Sequence, residues 1–127
     1  MLLYSRIFAA QLLVLSLIAT AHIMAIGNDW YWHYVWLDVP VHFLAGVWVA
    51  LVVSWLLLVI RQTRFSMLFV VASVLIVGIS WEIFEVVGGI SIDQPNYVFD
   101  TSLDVLMDVL GGLFGTALAR RFLLPRV

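Results

Sequence analysis

Four long stretches, each nearly unbroken by charge, leave this chain few ways to fold. They cover about residues 7–26, 39–60, 65–90 and 102–124. A helix rises about 1.5 Å per residue, so roughly 20 apolar residues cross the hydrocarbon core of a bilayer. The first stretch is uncharged, with Gln11, Ser16, Thr20 and His22 as its polar residues. The second is bounded by Asp38 and Arg61, the third is interrupted by Glu82 and Glu85, and the fourth by Asp104 and Asp108. Composition points the same way, since 65% of the 127 residues are hydrophobic and 11% charged. Soluble domains average about 25% charged residues, and a soluble fold this small could not bury so much apolar surface. The reading is an all-α polytopic membrane protein, a four-transmembrane-helix bundle forming one domain over residues 1–127.

The charges then set an orientation. All six basic residues lie at one end of the expected bundle. Arg6 precedes the first span, Arg61 and Arg64 flank the short Gln62-Thr63 link, and Arg120, Arg121 and Arg126 close the last. An excess of Arg and Lys marks the cytoplasmic side, so both termini are expected inside a cell's inner (plasma) membrane. The opposite side carries Trp30-Tyr31-Trp32-His33-Tyr34-Val35-Trp36, an aromatic cluster suited to the membrane interface. Arg6, the apolar run and Ala19-Thr20-Ala21 also have the outline of a cleavable signal peptide, but the run is long for one. The chain has no cysteine, which excludes thiol chemistry and cysteine zinc sites. Scattered membrane-edge arginines form no basic patch for nucleic acid.

With that orientation, every acidic residue falls in the outer half: Asp29, Asp38, Glu82, Glu85, Asp93, Asp100, Asp104 and Asp108. Asp38 and His42 are spaced i,i+4, Glu82 and Glu85 i,i+3, and Asp104 and Asp108 i,i+4, so each pair shares a helix face. Following these faces inward gives Ala45 and Gly46, then Gly78, then Gly111, Gly112 and Gly115. Small residues mark close helix contacts in membranes, so the acids are expected to point at neighbouring helices rather than at lipid. A carboxylate inside a bilayer costs at least about 2.5–3.5 kcal/mol on insertion scales and is normally paired. No Lys or Arg lies on this side to pair with it. Cations, protons, histidine or outside water must supply the balance.

Carboxylate and imidazole together suit a divalent ion, Mn, Fe, Zn or Mg, with Ca a further candidate. The expected metal ligands are Glu82, Glu85, Asp104, Asp108 and His42. His42 doubles as ligand or general base, with Asp38 orienting it. Plainer roles compete at some positions. Asp38 before Val39-Pro40 reads equally as a helix N-cap, Thr101 with Asp104 as a capping-box-like start, and Asp100 chiefly as a cap. His22, alone on its span, reads more readily as a satisfied polar group. Asp29, Asp93 and His33 read as solvated loop residues.

The motifs Asp38-Val-Pro-Val-His42-Phe43, Trp81-Glu82-Ile-Phe-Glu85 and Asp100-Thr101-Ser-Leu-Asp104-Val-Leu-Met-Asp108-Val-Leu-Gly111 resemble, in order, those of the YjdF-like inner-membrane proteins. More distantly they are similar to the VanZ-like family, where Glu85 would be Gln and Asp108 would be Asn. The resemblance implies a four-helix membrane fold with an outward-facing site. It implies no particular reaction. Three functions follow from the residues. The first is a divalent-metal-dependent enzyme acting on a lipid-linked or amphipathic substrate. The second is a cation or proton transport component, which four helices could form only as a homo-oligomer. The third is a non-catalytic membrane subunit or scaffold. Haem ligation by His22 and His42 is a remote fourth.

Overall fold

A computed structural model describes residues 2–60, 66–89 and 96–123. The link through Arg61, Gln62-Thr63 and Arg64, the Asp93 and Pro95 segment, and Arg126 lie outside these residues. Every element among the described residues is helical. Helix α1 spans Leu2–Gly27, a short α2 spans Trp30–His33 and a tight turn Val35–Leu37 follows. Helices α3 (Asp38–Val59), α4 (Met67–Gly88) and α5 (Tyr97–Leu118) complete the bundle, and a wider helical turn, Ala119–Leu123, extends α5. Four segments are long and apolar enough to cross a membrane: Ser5–Gly27, Asp38–Val59, Met67–Gly88 and Tyr97–Arg121.

Local chemistry explains where the helices begin and end. Ser66 caps α4 by accepting a 3.2 Å hydrogen bond from the Leu68 amide, satisfying one of the amides a helix start leaves open. Gly89 closes α4 at φ +69°, a left-handed conformation that glycine adopts without strain. The fourth span starts earlier than its apolar run suggests, at Tyr97 behind Asn96. This removes the capping-box reading of Thr101 and Asp104, because Asp104 lies two turns inside the helix. Asp38 is the first residue of α3 rather than a side-chain cap. Its charge, like that of Asp100 in α5, sits in the first turn, where the helix dipole favours an acid.

Helix α3 is the centre of the bundle and packs against α1, α4 and α5, most extensively α5. The α3–α5 contact is backbone on backbone. A Cβ added at Gly46 would fall on the Asp108 carbonyl, and one added at Gly111 would fall on the Phe43 carbonyl. At Gly115 it would stand 2.8 Å from the Val47 carbonyl oxygen. Membrane helices gain contact in this way because lipid supplies no hydrophobic drive between them. Two buried apolar clusters fill the half of the bundle below. One joins Val49 and Ala50 to Val70 and Val74, and the other joins Val47, Leu51 and Ala119. Phe8, Leu13, Ile23, Leu68 and Ile76 are exposed and meet the bilayer. Hydroxyls on the exposed faces are satisfied within their own helix, as where Ser16 and Ser80 each donate 2.7 Å bonds to carbonyls one turn back.

Substituting Gly46→Ala or Gly111→Ala should therefore force α3 and α5 apart and cost about 1–3 kcal/mol. The control is Gly27→Ala, where an added Cβ meets nothing within 4 Å. Thermal unfolding in detergent should show lower midpoints for the first two variants and none for the control. Equal midpoints for all three would refute the backbone contact.

Candidate functional site

The α3–α5 contact sets two acid-bearing faces against each other near one end of the bundle. Asp38 opens α3 and His42 follows one turn deeper, while Asp104 and Asp108 occupy successive turns of α5. His42, Asp104 and Asp108 are buried, and Asp38 is partly exposed. One ligand-type atom from each of Asp38, His42 and Asp104 lies within 4.8 Å of the others. Atoms bound to one small divalent ion stand about 3–4 Å apart, so these three side chains could close on an ion by moving roughly an ångström.

The two faces of the His42 ring are dealt with differently. Nδ1 stands 3.4 Å from Asp108 Oδ2, a long hydrogen bond. Nε2 faces Asp38 Oδ1 at 3.8 Å, too far for one. Asp108 thus holds the ring from behind, and Nε2 is left facing the cluster. The Asp108 carboxylate rests on bare backbone, because a Cβ at Gly78 of α4 would fall on its Oδ2. Gly78, read from sequence as a packing position, is the seat that lets this carboxylate reach the histidine.

Glu82 projects inward from α4 and is 6% exposed. Thr101 of α5 lies within its reach, yet Glu82 Oε1 has no hydrogen-bond partner. Asp104 Oδ1, in a residue 4% exposed, has none either. Buried polar atoms are normally paired, and these are carboxyl oxygens in a membrane interior. The remaining orphan among the described residues is Ser54 Oγ, in the opposite half of α3. Asp104 also feels the like charges of Asp38, Asp100 and Glu82. The described arginines, Arg6, Arg120 and Arg121, lie toward the other end.

Other candidates stand apart from this group. Glu85 is half-buried and accepts a 2.9 Å hydrogen bond from Trp81 Nε1 on the exposed side of its own helix. His22 Nδ1 pairs with the Tyr31 hydroxyl at 2.8 Å, tying α1 to α2 beside the cluster. Burial, followed by the nearby Asp38 and Glu85 carboxylates, pushes the Tyr31 phenol above its ordinary pKa, so it keeps its proton. Tyr31 was hidden in sequence among neighbouring interfacial aromatics, and no local signal separates it from them. Asp29 and His33 are exposed, and His33 Nδ1 is bonded to the Asp29 carbonyl.

The seat at Gly78 can be tested directly. Gly78→Ala should displace the Asp108 carboxylate and move the His42 imidazole nitrogen resonances in ¹⁵N NMR as far as Asp108→Asn does. His22 resonances should stay in place. An unmoved His42 in Gly78→Ala would show that no such seat exists.

Comparison with known proteins bears on the whole chain. A family model described as "Predicted membrane protein (DUF2238)" matches residues 1–124. No curated protein and no solved structure matches the chain.

Proposed function

The chain belongs to the DUF2238 family of predicted membrane proteins, and on that premise we propose that it is a divalent-metal-dependent membrane enzyme. Its substrate would be amphipathic or lipid-linked. The observation that carries the reading is that Asp38, His42 and the buried Asp104 each bring one ligand atom within 4.8 Å of the others, that a carboxyl oxygen of Asp104 has no partner, and that no described Arg or Lys lies at this end. The donor set fits. Asp38, Asp104 and His42 Nε2 would hold the ion, and three protein ligands leave a position open, as in catalytic rather than structural zinc sites. Asp108 would fix the imidazole through Nδ1, as carboxylates behind metal-bound histidines commonly do. Glu82 would stand opposite as the group that takes a proton from water. A bound ion would supply Lewis acidity and acidify a water. Mn, Fe, Zn and Mg all remain compatible with these donors.

The arginine-rich end supports a cytoplasmic assignment of both termini in an inner membrane, with the site opening outward. The likeness to YjdF-like and VanZ-like proteins supports the same outward site. Conduction is less well supported. Below the acids, Val49, Ala50, Leu51, Val70 and Val74 fill the bundle, and the buried Gln11 and Thr116 are bonded to the Leu51 and Gly112 carbonyls. A polar path would need a homo-oligomer to provide it.

Metal analysis of protein purified without chelator tests the reading. About one divalent ion per chain is expected, absent in Asp104→Asn and His42→Ala. Asp108→Asn should weaken binding about 10–100-fold, and Glu85→Gln should retain the ion because Glu85 is engaged by Trp81. A folded wild-type protein that takes up no Mn, Fe, Zn or Mg would refute the proposal.

A further inference from the structure

We infer that the reacting group of the substrate is an uncharged acyl ester or amide on an amphiphile, and not a phosphate. This rests on the metal-site reading above and narrows it.

Charge at the site end argues the point first. Phosphate is recognised by Arg forks, by Lys, or by the open amides of helix N-termini. Among the described residues this end has no Arg or Lys. Two helix N-termini, those of α3 and α5, do point to it. Each already carries an acid in its first turn, Asp38 and Asp100. Glu85 and the exposed Asp29 add to the negative rim. Each histidine at this end is already engaged, His22 with Tyr31, His33 with the Asp29 carbonyl, and His42 with Asp108.

The ion does not reverse this balance. A divalent charge is offset by Asp38 and Asp104 alone, which leaves Asp108 and Glu82 to make the loaded site neutral or negative. A phosphate would bring further negative charge to a centre with no group to receive it. A carbonyl brings none. Its oxygen needs one Lewis-acidic contact, and the surrounding surface offers what an amphiphile's body requires. Trp36, Trp81, Phe84, Val98 and Phe99 are exposed at the same end, and the Trp81 and Phe84 rings lie 5.4 Å apart. Aromatic groups of this kind settle at the headgroup level.

Hydrolysis of such a group balances with water alone. The water oxygen bonds to the carbonyl carbon, and the bond to the leaving oxygen or nitrogen breaks. One water proton passes through the Glu82 carboxyl to the leaving group, with no oxidant or second substrate required.

The test uses the full chain in phosphatidylcholine nanodiscs loaded with Co(II), read by its visible spectrum. The probes are N-methyldodecanamide and dodecylphosphonate. Phosphonate is the stronger Co(II) ligand in water, so any preference for the amide comes from the protein. The amide should shift the spectrum at concentrations at least about tenfold lower than the phosphonate. Asp100→Asn should strengthen phosphonate binding severalfold and leave amide binding unchanged. Phosphonate binding as tight as the amide, or an Asp100→Asn variant with an unaltered ratio, overturns this inference while the metal site stands. Folded protein that takes up neither Co(II) nor any of Mn, Fe, Zn and Mg overturns both.

Discussion

Everything distinctive in this bundle depends on how closely α3 and α5 approach. Gly46 and Gly111 let each backbone rest on a carbonyl of the other helix, a distance no larger residue allows. That approach brings His42 against Asp108 and sets Asp104 beside Asp38. Separate the two helices by the width of a methyl group and the four side chains no longer share a space. The third wall comes from α4, where Gly78 leaves room for the Asp108 carboxylate. Three helices thus meet at one side chain, and glycine is what each contact requires.

The electrostatic consequence is severe. Water outside the membrane can reach Asp38, which is partly exposed, but Asp104, Asp108 and Glu82 are buried. Isolated carboxylates in such surroundings are costly, and breaking or omitting a partner for a buried charge is more destabilising than burying none. The bundle nevertheless gathers them and keeps every described arginine toward the far end. Packing alone would be served as well by leucine at these positions. Carboxyl oxygens of Asp104 and Glu82 are left unpartnered beside the close α3–α5 contact, which supports the proposed ligand-binding role.

Much of this was legible in the sequence, for identifiable reasons. Apolar length alone locates the spans, because the bilayer sets the length a helix needs. The i,i+4 spacing of Asp38 with His42 and of Asp104 with Asp108 places each pair on a face, and the glycines along those faces identify them as contact faces. The start of α5 was less legible. Tyr97-Val98-Phe99 belong to the helix, but the preceding acid and proline make the region read as a loop. The rotation of α4 was not legible at all. An i,i+3 pair spans a broad arc, and packing turns Glu82 inward while Glu85 lies toward the edge with Trp81. Trp81 stands four residues before Glu85, and that spacing was the available clue. The parts played by Gly78 and Tyr31 depend on contacts between elements, which no local pattern reports.

In the proposed site these converging acids and one imidazole form the coordination shell of a divalent ion. X-ray absorption at the zinc edge of the loaded, membrane-embedded protein addresses that shell directly. One imidazole nitrogen at about 2.0–2.1 Å is expected with carboxylate and water oxygens at about 2.0–2.2 Å, and the imidazole signature should be lost in His42→Ala. A shell of oxygens alone in the wild-type protein, indistinguishable from hydrated zinc, would contradict it.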